Sequence, residues 1–272
     1  TRTAMKLADY VVTEAGFGSD LGAEKFMNIV CRKGGFKPDA VVIVATIRSL
    51  KMNGGVAKNA LTVENLDALD RGMANLERHI RNMKGFGLPV VVALNHFVAD
   101  TQAELKLVME RCAAFGVDVV ESKVWAEGGA GGEALAEKVV EIIEKGEASF
   151  SYLYEDSLPL WQKVESIAQK IYGADTVQAD KKIRDKFQEI QDAGYGNLPV
   201  CMAKTQYSFS SDPNLLGAPS GFDLQVRDVR LAAGAEFVIV YCGDIMTLPG
   251  LPKVPAAEHI DVDSSGKITG LF

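Results

Sequence analysis

With 272 residues, 47% hydrophobic and 24% charged, the chain can bury at least one sizeable core and is too apolar to be disordered. A net charge of −7 excludes a protein that holds nucleic acid by general phosphate neutralisation, yet a local group of Lys and Arg can still hold a small anion. No apolar run reaches membrane-spanning length, the opening TRTAMKLADY lacks the apolar stretch of a signal peptide, and Cys31, Cys112, Cys201 and Cys242 form no CxxC pair, so the expectation is a cytoplasmic protein with reduced thiols and no metal centre.

Residues 1–148 alternate between two patterns. Strands are predicted at Tyr10–Thr13, Ala40–Ala45, Pro89–Leu94 and Val117–Val120, and those at 40–45 and 89–94 are apolar enough for a parallel sheet covered on both faces. A strand signal this close to Thr1 suits a complete protein, but equally a piece of a larger sheet. Between the strands, Thr62 is expected to cap a helix that buries Leu66, Leu69, Met73, Leu76 and Ile80. Thr101 and Glu104 make a T-x-x-E capping box ahead of Leu105, Val108 and Cys112. A third helix near 132–145 is expected to bury Leu135, Val139, Ile142 and Ile143. Strands separated by helices in this way predict an α/β layer.

After residue 148 the pattern changes, and residues 149–272 are expected to form one or two smaller α+β domains packed on the first. One helix near 158–172 carries Leu160, Val164, Ile167 and Ile171 and stops at Gly173. A second near 177–193 carries Ile183, Phe187 and Ile190 and ends at Gly194. β-like stretches follow at Leu198–Met202, Phe222–Val229 and Glu236–Val240. Asp263–Ser264–Ser265–Gly266 reads as the turn of a hairpin joining Ile260–Val262 to Lys267–Thr269.

Ligands of open α/β sheets sit beyond the carboxyl ends of the strands, which directs attention to four junctions: 14–18 (EAGFG), 46–48 (TIR), 95–97 (NHF) and 121–125 (ESKVW). Trp125 leads into the glycine-rich AEGGAGG, so no local helix packing can bury it; it is suited to stacking on a flat heterocycle or to packing at a domain interface, and Phe97 has the same two readings. Asn95 can bond an adenine edge. Gly54–Gly55, near Arg48 and Lys51, can wrap an anion or simply turn. His79, His96 and His259 lack the spacing of a metal set and are not expected to be catalytic. No G-x-x-x-x-G-K-[ST] occurs; GGVAKNALT at 54–62 lacks the second glycine before its lysine.

At these junctions the sequence resembles the formate–tetrahydrofolate ligase family over essentially its whole length. The resemblance is carried by KLADYVVTEAGFGSDLGAEKF (6–26), GFKPDAVVIVATIRSLKMNGG (35–55), SKVWAEGGAGG (122–132), GYGNLPVCMAKTQYSFS (194–210), TLPGLPKVPAA (247–257) and IDVDSSGKITGLF (260–272). It implies the second half of a P-loop NTPase-like enzyme with a mostly parallel sheet and helices on both faces. It further implies one-carbon chemistry with ATP, Mg²⁺, formate and tetrahydrofolate, with a monovalent cation as a further candidate, in a homo-oligomer. The partner would be an amino-terminal half carrying the phosphate loop, without which this chain is expected to be inactive and prone to aggregate through open strand edges. The alternatives are a non-catalytic folate or nucleotide module and an ATP-dependent ligase with another acceptor.

Residue by residue, the resemblance makes Phe97 and Trp125 an aromatic pair that sandwiches the pterin, and Asn95, Glu121 and Ser122 a wall near the adenine. Glu14, Phe17 and Asp20 belong to the loop nearest phosphate and formate, with Glu14 or Asp20 holding a metal or orienting a cation. Lys204, Gln206 and Tyr207, with LPGLP at 248–252, become walls of the shared cleft. Two positions depart from the family pattern: Asn53 stands where His is frequent, which weakens acid–base work by that loop, and Val98 stands where Pro is frequent, which changes loop stiffness.

Overall fold

The computed structural model describes residues 1–245 and 253–270. A helical run over 19–34 (α1), π-wound at Ser19–Ala23 and Phe26–Cys31, precedes β1 (Val41–Thr46), α2 (Ile47–Asn53) and the long α3 (Leu66–Gly85). There follow β2 (Val90–Asn95), α4 (Gln102–Ala114), β3 (Asp118–Ser122), the short α5 (Val124–Glu127) and α6 (Glu133–Glu144). β1, β2 and β3 form a parallel sheet in that order, with Thr46 opposite Asn95 and Asn95 opposite Ser122, so three strand tips end in one row.

β2 is the central strand and its apolar run is buried on both faces, with Val90, Val92 and Leu94 in the main core and Val91 and Ala93 on the opposite side. α3 packs against β1 and β2, while α6 packs against β3 and β2. β1 departs from the expectation of two covered faces: Val42 and Val44 are exposed, Val44 at 63%, because α6 does not extend over this edge. The predicted strand Tyr10–Thr13 is not formed. Residues 10–15 have no ladder partner among the described residues, and Val12 is 91% exposed; an apolar alternation makes a strand only when a sheet edge receives it.

The α4 capping box forms as expected, Thr101 accepting from Glu104 N–H and Glu104 from Thr101 N–H. The α3 cap is Asn65 rather than Thr62, because Asn65 Oδ1 accepts from Ala68 N–H at 2.9 Å and helical winding starts only at Leu66. α6 buries its apolar stripe only halfway, lying on the outside of the sheet. α2 and α3 cross at backbone contact distance, and a Cβ on Gly72 would stand 1.8 Å from the Leu50 carbonyl oxygen.

The second part contains α7 (Leu160–Ile167, winding on through Ala168–Tyr172), β4 (Thr176–Gln178), α8 (Lys181–Ile190), β5 (Val200–Ala203), β6 (Asp223–Ala232) and β7 (Phe237–Cys242). Gly173 ends the first helix in the left-handed region, at φ 78°. The four strands make a mixed sheet in the order β4-β6-β7-β5, with only β6 and β7 antiparallel. β4 was not anticipated; three residues beside a helix cap carry too little periodicity. The hairpin of β8 (Asp261–Val262) and β9 (Ile268–Thr269) forms as predicted. Buried residues of both parts form one continuous cluster, from Met27 and Leu94 to Val200 and Val240. Among the described residues no helix is long and apolar enough to cross a membrane.

Candidate functional site

The shared row of strand tips opens into a lip of aromatic and charged side chains. Asn95 and His96 leave β2, and His96 N–H donates to the Ser122 carbonyl at 3.0 Å, holding the β2 exit against the β3 exit. Phe97 then sits in a turn closed from both sides: its N–H donates to Asp100 Oδ2 at 2.8 Å, and Asp100 N–H donates to the Phe97 carbonyl at 2.9 Å. From β3, Lys123 N–H donates to the Gly131 carbonyl, and a Cβ on Gly131 would meet the Lys123 backbone at 2.5 Å. The AEGGAGG run therefore folds back beneath α5 and leaves Trp125 75% exposed.

Phe97 and Trp125 face one another with ring centroids 6.3 Å apart and planes tilted by 46°. A flat heterocycle sandwiched between two rings needs about 7 Å between parallel planes, twice a ~3.5 Å contact distance. Reaching that arrangement requires the centroids to separate by about 1 Å and the rings to turn through the 46° tilt. Phe97 is held by its turn, whereas Trp125 is on a four-residue helix flanked by glycine, so the adjustable wall is Trp125. The guanidinium of Arg48, on the first turn of α2, lies 5.0 Å from the Phe97 ring centre.

Glu121 is occupied. Its Oε1 stands 2.6 Å from His96 Nδ1 and 3.3 Å from Lys123 Nζ. Asn95 is half-buried and Ser122 is 5% exposed, both in the tip row. Phe97, Trp125, Asn95, Glu121 and Ser122, all anticipated, are thus brought together. The His96–Glu121 contact was missed; its only signal was that both residues lie at adjacent strand ends.

The 14–20 loop is organised differently. Glu14 and Phe17 are exposed, and among the described residues no hydrogen bond or ring contact joins either to the aromatic pair. Phe17 holds a positive φ of 64°, unusual for a bulky side chain and costing about 1–2 kcal/mol. Asp20 is 4% exposed and pairs at 2.6 Å with Lys204, whose ammonium also donates to the Thr205 and Ser208 carbonyls. Burial pushes the Lys204 pKa down, and the Asp20 carboxylate opposes that.

Beside Asp20, the Ser19 backbone N–H donates to His79 Nδ1 at 3.2 Å, which makes Nδ1 an acceptor and the ring neutral; burial lowers the His79 pKa in the same direction. Asn82 Nδ2 donates to Ser19 Oγ and to the Ile171 carbonyl, and Phe209 lies against His79 with centroids 4.7 Å apart. α3 is therefore the common platform for the 16–20 loop and the 204–210 loop. Tyr207 is 56% exposed beside them, and the expected wall at 248–252 lies outside the described residues.

A second buried pair supports the lip from below. Lys51 Nζ donates to Glu104 Oε1 at 2.8 Å and to the Val63 carbonyl, and Glu104 also accepts from Asn65 and Thr101 N–H. Burial alone would raise the Glu104 pKa, but these bonds outweigh it and lower it. This network ties α2, which carries Arg48, to α4, which follows Phe97. A shallow hollow of about 550 Å³ lies away from the lip, lined by Arg227, Asp228, Arg230, Tyr241 and Asp244. Its arginines are already paired with Asp244 and Asp228, so it offers a ligand little. Among the described residues no three His, Cys, Asp or Glu side chains gather as metal ligands.

Known proteins resemble this chain along its whole length. The sequence profile described as "Formate--tetrahydrofolate ligase" matches residues 1–272. Proteins named formate–tetrahydrofolate ligase from Ruegeria sp. (strain TM1040), Granulibacter bethesdensis and Pelagibacter ubique are 61%, 60% and 57% identical over 272 residues, covering 100% of this chain and 49%, 48% and 48% of theirs. The chain spans about half the length of the curated relatives it matches. A full-length profile match and identity near 60% leave one assignment: this chain belongs to the formate–tetrahydrofolate ligase family.

Proposed function

We propose that the chain supplies the pterin-binding lip of an ATP-dependent ligase that joins formate to tetrahydrofolate through formyl phosphate, yielding 10-formyltetrahydrofolate, ADP and phosphate. The observation that carries the reading is the Phe97–Trp125 pair at the strand tips, one ring fixed and one adjustable, at nearly sandwich spacing. Family membership supports the substrate class.

The chemistry explains the need for such a lip. A carboxylate resists attack by an amine, so a formate oxygen first attacks the γ-phosphorus of ATP and ADP departs. The N10 amine then attacks the formyl carbon, phosphate departs, and the nitrogen loses a proton. Protein groups contribute chiefly by positioning and by stabilising oxyanion charge. In this reading Phe97 and Trp125 orient the pterin so that N10 faces the acyl phosphate, while Asn95, Glu121 and Ser122 line the adenine side. Glu14 and Phe17 form the phosphate-side loop, and the positive φ of Phe17 fits a loop shaped for contact rather than for stability. Asp20, already satisfied by Lys204, positions that loop rather than touching substrate.

Mg²⁺ accompanying ATP would take its ligands mainly from phosphate oxygens, since the described residues gather no protein set able to hold it. The grip on the triphosphate belongs to the other half of the full-length protein, because no phosphate-loop motif occurs in these 272 residues. The uncovered β1 edge, with Val42 and Val44 exposed, supports that division.

The test is formyl transfer. The 272-residue chain alone is expected to give no 10-formyltetrahydrofolate, and the full-length protein to give turnover. In the full-length protein, Phe97→Ala and Trp125→Ala should each weaken tetrahydrofolate binding by about tenfold or more, the worth of one stacked ring. Unchanged folate affinity in both variants would remove the lip from the site.

A further inference from the structure

The Arg48 guanidinium lies over Phe97, and among the described residues no carboxylate pairs with it and no hydrogen bond engages it. The arginine is nonetheless firmly based. Thr46 caps α2 by accepting from Ser49 N–H at 3.0 Å, Ser49 Oγ returns a bond to the Thr46 carbonyl, and Ile47 and Leu50 on either side are 0% and 2% exposed. Below it, the buried Lys51–Glu104 pair fixes α2 against the element that follows Phe97. The carboxylate on the facing strand tip, Glu121, is taken by His96 and Lys123. In a protein of net charge −7, the exposed Arg48 thus stands against the ring that forms one wall of the lip with no partner carboxylate among the described residues.

We propose that Arg48 is a specificity residue that binds an oxyanion held beside the ring that stacks on Phe97, so that the lip reads a flat heterocycle and an anionic group together. The inference rests on the stacking role proposed above for Phe97 and Trp125. A guanidinium offers a planar fork of N–H donors that matches the two oxygens of a carboxylate or phosphate, and its face rests on the aromatic wall without losing those donors. The anion has two possible sources with this chemistry: the glutamyl carboxylates of tetrahydrofolate, or a phosphate of the nucleotide beside the pterin.

The experiment measures dissociation constants in the full-length protein carrying Trp161→Phe, so that Trp125 is the tryptophan reporter within this half, with ligand-side calorimetry as a second readout. Arg48→Gln and Arg48→Lys are each titrated with tetrahydrofolate, with a tetrahydropterin lacking the aminobenzoyl-glutamate tail, and with ADP. Arg48→Gln should weaken tetrahydrofolate or ADP about tenfold or more, the loss of one charge-assisted contact, while the tail-less pterin stays within about twofold; Arg48→Lys should recover part of the loss. A loss confined to tetrahydrofolate identifies the carboxylate, and one confined to ADP identifies the phosphate. Equal losses for all three ligands, or no loss for any, overturn the proposal. Failure of the tail-less pterin to respond to Phe97→Ala would instead overturn the stacking reading, independently of Arg48.

Discussion

Replacing Glu24 with Gln should stabilise the protein at pH 8 and do little at pH 4.5. Glu24 is 0% exposed on α1; Oε1 accepts from Asn28 Nδ2 at 2.7 Å, and Oε2 is buried with no partner among the described residues. Burial raises its pKa from 4.5 to about 7, opposed by Lys25 and the Asn28 bond and reinforced by Asp20. The raised value fixes the sign. Below pH 4.5 the carboxyl is neutral in folded and unfolded chains and its stabilising contribution is fully present. Between pH 4.5 and about 7 the unfolded chain releases the proton while the folded chain retains it, so stability falls with pH. Above 7 the loss is complete.

A gap from 4.5 to about 7, at ~1.4 kcal/mol per pH unit, comes to about 3 kcal/mol. Gln never ionises. The stability of Glu24→Gln relative to the unmodified protein should therefore rise by about 3 kcal/mol between pH 4.5 and pH 8. Urea unfolding at several pH values measures this, with equal m-values confirming that the same transition is compared. Taking the difference between the two proteins cancels every other titrating group. A difference that stays constant across the range would refute the assignment of a neutral, buried Glu24.

Lys204→Met leaves the Asp20 carboxylate buried without its ammonium and should cost about 3–5 kcal/mol, whereas Asp20→Asn combined with Lys204→Met should recover much of that; urea or thermal unfolding of the three proteins decides. Because Asp20 anchors the 14–18 loop, the double variant in the full-length protein should retain folate affinity by calorimetry and lose turnover. Gly72→Ala forces a methyl group against the Leu50 carbonyl and should destabilise by about 1–3 kcal/mol despite the better helix propensity of Ala, a loss readable in the urea midpoint.

Much of this architecture was legible from local patterns. The apolar run at Pro89–Leu94 forms a strand as expected, and the T-x-x-E at Thr101 and Glu104 caps α4 as expected, because both signals depend on neighbouring residues. The strand-tip rule selected the junctions that carry Phe97 and Trp125, and Thr46 and Asn95 share one row because parallel strands end together. Local pattern misled where a strand needed a recipient. Val12 and Val44 alternate like buried strand residues, yet no element among the described residues buries them, and both stand exposed.

What the sequence by itself determined was an α/β chain of this ligase family, with its aromatic candidates at strand ends. The tertiary structure decided which of those residues meet. Asp20 and Lys204 are 184 positions apart and His79 is 60 from Ser19, so only the packing of both loops on α3 reveals that Asp20 is saturated and that His79 is a neutral acceptor. The same packing leaves Arg48 facing Phe97 with no partner carboxylate among the described residues. The physical reason is range: helix caps, strand runs and turns are set by residues a few positions apart, whereas whether a charge is paired depends on what the fold brings within about 4 Å.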